Sequence, residues 1–460
     1  MLTRLRLENF KSWQDTGNIT LRPITGFFGA NSSGKSGLIH ALLLLKQTAD
    51  SADRGIVFHF GGKGARVDLG DFTSVLHRHE TGNSLGITLD WQIGKPIRIT
   101  DTYARSRFAN RNVASSNDVG FRVVSRMEGG DAGEQPIVEQ MSYHVGDAEF
   151  GLRLEYHEKY PYDLFTENTE FSFFRYQGRR WGFDSPAKCY GFPDKVRLYY
   201  QNAGFLTDLE FALEQRLRNV YYLGPLRAFP QRIYTRSGEE PLDMGEAGEL
   251  VVDALLAARQ RDERIGLGKG IPRPTLEQYV AQWLKELGLI HDFRVVPMAE
   301  GSHVFEVRVR KSPKAAEVLI TDVGFGVSQI LPVLVLCFYV PEGSTVILEQ
   351  PEIHLHPSVQ AGLADVFNDA WEKRKVQVIV ESHSEHLLRR LQRRIAEKKL
   401  SQDNVGLYFC KEENGVSRLE SLEIDLFGNI SNWPQDFFGD QFGEIAAMSE
   451  AALMRRQAAG

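Results

Sequence analysis

The run Gly29-Ala30-Asn31-Ser32-Ser33-Gly34-Lys35-Ser36 fills every fixed position of the pattern G-x-x-x-x-G-K-[ST]. The chemistry of such a run is phosphate binding. Successive backbone N–H groups form a concave anion nest, and glycine at 29 and 34 lets the chain approach the phosphates closely. A helix opening around Ser36 and Gly37 adds its positive N-terminal end. Lys35 is expected to reach the β- and γ-phosphates of ATP, and the Ser36 hydroxyl to ligate Mg²⁺. The eight-residue pattern also arises by chance, but its setting between an apolar strand and a helix argues against that.

A second segment, Ser344-Thr-Val-Ile-Leu-Glu349, is an apolar strand ending in a carboxylate. In a chain with a phosphate loop, Glu349 is expected to hold Mg²⁺ directly or through water. Alone it would read as a core strand with a surface acid. Then come Gln350-Pro351-Glu352-Ile353-His354-Leu355-His356-Pro357 and a further apolar strand, Val376–Val380, ending in Glu381-Ser382-His383-Ser384. A histidine just past a strand beside the metal acid could contact the γ-phosphate or the attacking water, which singles out His383. His354 and His356 with Glu352 could instead suggest a metal site, although two histidines at i and i+2 in a loop are weak evidence for one.

Strands and helices must position these groups, and residue periodicity locates them. Leu5 and Leu7 alternate with Arg4 and Arg6, the pattern of a half-buried strand. Ile19–Leu21 and Ile24–Phe28 read as short strands, the second running into the glycine loop, and Leu38–Gln47 reads as a helix. From about 53 to 100, Gly-rich turns alternate with short strands. Residues 100–220 are rich in β-branched and aromatic types; Phe171–Phe174, Tyr176 and Trp181 read as sheet core rather than a base-stacking platform. Helices are expected at Leu206–Arg218, Gly245–Arg261 and Leu276–Leu289, with a linker-like stretch from Ile265 to Pro274. Beyond Phe305, strands near 304–310, 317–321, 345–349, 376–380 and 405–409 alternate with helices near 327–339, 358–373 and 384–399.

The expected fold class is therefore α/β, a P-loop NTPase head of mixed sheet and flanking helices, split by a long insertion. Its N-terminal half covers 1–100 and its C-terminal half 301–411. The insertion covers 101–300, β-rich to about 220 and then helical, and a small segment covers 412–460.

The 460 residues are 42% hydrophobic and 25% charged, with a net charge of −6. That is an ordinary globular composition, and it exerts no global pull on nucleic acid, so any such contact needs a local basic patch. The strip Arg389-Arg390-Leu-Gln-Arg393-Arg394 is a candidate, weighed against the commoner solvated helix face. Three well-separated cysteines exclude a disulfide framework and zinc-finger spacing. The N-terminus lacks the apolar run of a signal peptide, and no apolar stretch reaches bilayer length. A cytoplasmic protein without membrane contact is expected.

The runs LENFKSW…GFFGANSSGKS, DVGFGVSQILPVL, ILEQPEIHLHP and VIVESHSEHLL, in this order over residues 1–50 and 317–411, resemble the ABC-type ATPases of the RecF, SMC and overcoming-lysogenization-defect group. ISNWPQDFFGDQFGEIAAM resembles the small domain of unknown function that ends one prokaryotic branch of these ATPases. The resemblance implies a head that binds ATP and Mg²⁺ between two subunits. It puts Gly324, Gly326, Ser328 and Gln329 at the place of the signature motif, which caps the γ-phosphate held by a second subunit. Their order departs from the usual Leu-Ser-Gly-Gly-Gln. It also matches His383 to the family's switch histidine and sets Asp68–Phe72 near the Q-loop. Tyr221-Tyr222-Leu-Gly-Pro225-Leu-Arg227 resembles a recurring segment of the same branch, in which Arg227 could contact phosphate or a partner.

The family's tandem Asp-Glu is here Glu349-Gln350. Glu349 can still serve the metal, but neutral Gln350 cannot act as a general base, whose usual contribution is roughly 10²–10⁴-fold. Three catalytic readings stay open. Hydrolysis is slow and ATP acts mainly to form a dimer; or Glu352 substitutes as base; or His383 and Gln350 position water, as a glutamine does in small GTPases. The implied partners are a second copy (a homodimer or higher homo-oligomer), nucleic acid, and a separately encoded nuclease, because this chain carries no nuclease constellation. Anti-phage systems of the Septu or retron-associated type are the setting that this analogy suggests. Against it stand a nucleotide-gated scaffold with little or no turnover, which Gln350 favours, and an ABC transporter component, which the lack of membrane spans disfavours.

Overall fold

The computed structural model describes the chain except for residues 63, 102–110, 131–132, 156–160, 177–181, 237, 239, 269, 435–446, 453–454 and 456–460. Three sheets organise the described residues. In the first, the order is Val220–Leu223, Thr345–Glu349, Gln377–Glu381, Ile24–Gly29, Val405–Glu413 and Val416–Ser421. The first five strands run parallel and the last closes an antiparallel hairpin. Every residue of Ile24–Gly29, Thr345–Glu349 and Gln377–Glu381 is buried, as a parallel sheet covered on both faces requires.

Alternation along these strands divides the core in two. Phe27, Ile347 and Ile379 face helices Lys35–Asp50 and Phe205–Arg218. Phe28, Val346, Leu348, Val378 and Val380 face helices Gly326–Tyr339, Pro357–Arg374 and Glu385–Ala396. The period of two in a strand makes this unavoidable: each strand feeds both layers.

The second sheet is antiparallel, in the order Trp13–Asp15, Leu2–Phe10, Leu85–Asp101, Arg111–Gly130, Gly133–Val145, Ala148–Leu154 and Tyr162–Glu167, with Ile19–Thr20 also on Leu2–Phe10. It shares its core with helix Lys35–Asp50. A third, small sheet joins Tyr234–Thr235, Asp292–Pro297, Val304–Arg310 and Glu317–Leu319. Gln377, fully buried, links the first two sheets. Its Oε1 accepts from Leu2 N (2.9 Å) and Thr345 Oγ1 (3.0 Å), and its Nε2 donates to Leu2 O (2.8 Å) and Arg22 O (3.0 Å). One side chain thus uses its full amide capacity as a peptide group would.

Some expectations need correction. Residues 53–100 do not alternate turns with short strands; they run through irregular chain and the short helix Phe72–Val75 into one strand of 17 residues, Leu85–Asp101. Gly94 and Pro96 do not break that strand, because they lie where its register shifts between Gln92 and Ile97, and bulges tolerate both residue types. Val220–Leu223 lies inside the stretch expected as insertion, yet it pairs in parallel with the acid-bearing strand Thr345–Glu349. The helix expected from Gly245 starts at Val251, after a turn in which Gly245 and Gly248 both take positive φ. Phe150, Phe171, Phe173 and Phe205 pack together as core, edge-on except for the stacked pair Phe173–Phe205, whereas Phe174 and Tyr176 are exposed and Trp181 lies outside the described residues.

Candidate functional site

Gly29, Glu349 and Glu381 all stand at the C-terminal ends of parallel strands, on one edge of the first sheet. The register pairs Glu349 with Glu381 and Glu381 with Phe27. One strand therefore separates the loop strand from the Glu349 strand, and it carries its own acid into the gap.

The loop is fixed by its surroundings as well as by its sequence. Gly29 and Gly34 have φ of +141° and +95°. A Cβ at Gly29 would sit 2.1 Å from Cys410 O, and one at Gly34 would sit 2.3 Å from Ser417 Oγ and 2.7 Å from Ser12 Oγ. Trp13 Nε1 donates to Gly34 O at 3.0 Å. Ala30, Asn31 and Ser32 are exposed, Ser33 is buried, and Ser36 and Gly37 begin helix Lys35–Asp50. Lys35 is buried and donates to Gly29 O (3.1 Å) and Ala30 O (2.6 Å). Burial lowers its pKa, against the pull of Glu381 and then Cys410 and Glu352.

Three buried carboxylates converge behind this loop. Glu349, Glu352 and Glu381 are 5%, 7% and 2% exposed. Each has an oxygen without a hydrogen-bond partner among the described residues, namely Glu349 Oε1, Glu352 Oε2 and Glu381 Oε2. Burial pushes the Glu349 carboxyl up to about 7, helped by Glu381, while Tyr222, Arg227 and Lys11 pull it back. Burial likewise raises Glu352, whose Oε1 accepts from His383 N at 2.6 Å. Burial also raises Glu381, against which stand the Ser36 hydroxyl, Lys35 and the Gln350 side chain.

Gln350 takes a φ of +43°, and its N–H donates to Glu381 O at 2.8 Å. Its side-chain amide also hydrogen-bonds to the Glu381 carboxyl. His383 lies against the Gly29 backbone; burial and then Lys35 lower its pKa, and its Nε2 has no partner among the described residues. The loop, Glu349, Gln350, Glu352 and His383 thus stand together at one edge. Glu381 carries the same sequence signal as Glu349, an acid closing an apolar run, and joins the site on that account. Two more residues went unnoticed: His40, whose Nε2 is 3.6 Å from Glu349 Oε1, and Lys11, whose Nζ donates to His40 Nδ1 at 2.9 Å. Burial and then Lys11 push His40 down to about 4, so the ring is neutral. Arg227 reaches the same edge, donating from Nη2 to Glu349 O at 3.4 Å.

The signature-like residues form a neighbouring patch. The helix begins at Gly326, so Ser328 sits one residue pair inside it, and its hydroxyl donates to Phe325 O at 2.8 Å instead of opening the helix. Gln329 is buried with Nε2 unpartnered among the described residues. Gly324 and Gly326 flank Phe325, whose ring meets Phe229 and His354 at centroid distances of 5.5 Å each. His356 caps helix Pro357–Arg374 through Ser358, and His354 packs on Phe325, so neither joins Glu352 in a metal cluster. Asp68–Phe72 forms a turn with Phe72 packed on Phe58 and Phe60. The arginine strip is paired with acids: Arg390 and Arg394 with Asp365 of helix Pro357–Arg374, Arg389 with Glu385, Arg393 with Glu397. That favours the solvated-face reading.

The residues fit a Mg·nucleotide. Among the described residues no group of three or more His, Cys, Asp or Glu could hold an ion alone, and Mg²⁺ at phosphates does not need one: it takes one or two protein oxygens, phosphate oxygens and water. The Ser36 hydroxyl and Glu349, whose buried Oε1 is unpartnered among the described residues, would supply such ligands.

Loop, strand order and buried acids together define the P-loop nucleotide-binding class. The family model described as "AAA domain, putative AbiEii toxin, Type IV TA system" matches residues 151–389, over half of the chain, and the chain belongs to that family. It is thereby a nucleotide-binding ATPase by class, and the fold is mixed α/β. A second model, "Protein of unknown function (DUF3696)", matches residues 400–448. Among solved structures, similar chains are an SMC head bound to the C-terminal winged-helix domain of ScpA (12% identity, 92% of this chain and 98% of that one, TM-score 0.47) and the SMC head domain from Thermotoga maritima (12%, 92% and 99%, 0.43). A third is an SMC head with an extended coiled coil bound to the C-terminal domain of ScpA derived from Pyrococcus furiosus (10%, 92% and 96%, 0.41). No curated protein matches significantly. No described helix is long and apolar enough to cross a membrane.

Proposed function

We propose that this chain binds Mg·ATP, joins a second copy head to head while ATP is bound, and hydrolyses ATP slowly. That cycle would control a nucleic-acid-directed process, in anti-phage defence with a separately encoded nuclease. The observation that carries the reading is the buried edge where loop 29–36, Glu349, Glu352, Glu381 and His383 meet, with an amide at position 350. Lys35 and the loop N–H groups would hold the phosphates, Ser36 and Glu349 the Mg²⁺, and His383 the γ-phosphate or its water. Gly324, Gly326, Ser328 and Gln329 would face the nucleotide of the second copy. The matched family's description, which names a toxin of a type IV toxin–antitoxin system, supports a regulatory setting.

Slow turnover follows from Gln350: an amide leaning on Glu381 can orient water but cannot take its proton. Steady-state ATPase measurement tests this. The expected result is turnover well below about 1 s⁻¹, the lower end of the usual enzymatic range, abolished together with ATP binding by Lys35→Ala. Turnover at or above that level, lost in Glu352→Gln, would make Glu352 the base and sink the slow-hydrolysis account. A scaffold with no turnover is the second reading, favoured by the same amide; ATP-dependent assembly without phosphate release would select it.

A further inference from the structure

Ser36 and His40 are four residues apart on helix Lys35–Asp50, so they share one face. That face meets two acids paired across adjacent strands: Ser36 stands against Glu381, and His40 stands 3.6 Å from Glu349. Each acid is more than nine-tenths buried and keeps one oxygen unpartnered among the described residues. Nearby cations are spoken for differently. Lys35 is tied to loop carbonyls, Lys11 donates to His40, and Arg227 gives its Nη2 to the Glu349 backbone carbonyl, so no hydrogen bond joins any of the three to either free oxygen. Two buried carboxylates side by side, with no cation bonded to the free oxygens, are costly unless something positive arrives. ATP brings more negative charge to the same edge, so nucleotide alone makes the imbalance worse.

We infer that Glu381 is a second acid of the divalent-cation site, acting with Glu349 and orienting the Ser36 hydroxyl toward the metal. This rests on the Mg·ATP reading above. Gln350, neutral and leaning on Glu381, then has a positive reason to be an amide, since a carboxylate there would set a third acid against the pair. The sequence motifs put the metal on Ser36 and Glu349 alone.

The test separates metal from nucleotide. ATP affinity of the full chain is measured by calorimetry in EDTA and then with Mg²⁺, and Mn²⁺ bound to the ATP complex is counted by electron paramagnetic resonance, all at pH 8. For Glu381→Gln, Mn²⁺ affinity of the ATP complex should fall 10-fold or more, the usual cost of losing a supporting metal partner. Metal-free ATP affinity should stay equal or rise, because a negative charge beside the phosphates has gone. Glu381→Asp, which keeps the charge, should lie between and serves if the glutamine variant does not fold. Unchanged Mn²⁺ affinity, or equal loss of metal-free and metal-dependent binding, overturns the inference. Absence of ATP binding in the unsubstituted chain would instead overturn the nucleotide reading itself.

Discussion

Glu349 is a carboxylate almost wholly removed from water, with one oxygen left without a partner among the described residues, and that combination has a pH signature. Its carboxyl is pushed from 4.5 up to about 7, chiefly by burial. Between those values the folded protein binds more protons than the unfolded chain, so stability is greatest below the window and is lost as pH rises through it. Calorimetric melting of the Mg²⁺-free protein at pH 5 and pH 8 should show this, and Glu349→Gln should make the difference smaller by up to about 3 kcal/mol. Gln350→Glu should make it larger, since a new carboxylate would lean on Glu381. A Glu349→Gln protein with the same pH slope as the parent would refute the assignment. Glu349 and His383 stand out in the sequence of a chain with a phosphate loop, the one closing an apolar run and the other lying two residues past the strand Gln377–Glu381. The orientation of Gln350 could not, since it depends on a positive φ and on an acid one strand away.

Elements rather than residues explain why the loop has its shape. Gly34 precedes helix Lys35–Asp50 in the left-handed region and abuts Ser12 and Ser417, which hydrogen-bond to each other at 2.7 Å. Two distant segments, the first turn of the chain and the hairpin Val405–Ser421, therefore fix a single glycine. Gly34→Ala should cost roughly 2 kcal/mol or more, from left-handed strain plus the collision. Chemical denaturation reads the loss, and ATP binding should fall with it even at saturating Mg²⁺. Ser417→Ala, which opens that space, should recover part of the stability in the double variant; no recovery would mean the contact is not what limits the position. Beyond residue 304 the buried elements are legible within a residue or so, as with 327–339 against Gly326–Tyr339, because uninterrupted apolar runs leave little choice, whereas 405–409 falls short of Val405–Glu413 and the hairpin strand Val416–Ser421 carries no such run. The long strand Leu85–Asp101 was not, because its glycine and proline punctuate a bulge rather than a turn.

For the whole molecule, the proposed pairing of two copies needs a surface, and the signature-like patch offers one. Leu226, Phe229 and Phe325 are 82%, 75% and 41% exposed, near Arg227 and the Glu349 edge. Phe325→Asp should leave ATP binding within about twofold, as expected for a surface change, while abolishing ATP-dependent assembly in sedimentation velocity runs. Assembly that persists in this variant would move the interface elsewhere. Sequence could place the patch by resemblance, but its exposed aromatics come from Phe229 and Phe325, nearly a hundred residues apart, and only folding brings them to 5.5 Å.

The strand Gln377–Glu381 has a different job at each end. Glu381 stands at the nucleotide edge, while Gln377 is bonded to Leu2 in the antiparallel sheet and to Arg22. Five residues of extended chain span about 13 Å, so the strand is a short rod with the proposed nucleotide edge at its tip and the neighbouring sheet at its base. Sliding at the base would strand a buried amide, whose loss costs about 1–3 kcal/mol per unsatisfied group. Whatever displacement a ligand imposes on Glu381 should therefore tilt the antiparallel sheet as a lever, not shear past it. If the strand transmits such a displacement, Gln377→Leu, which removes the bonds to Leu2 and Arg22, would loosen that link without touching the phosphate site.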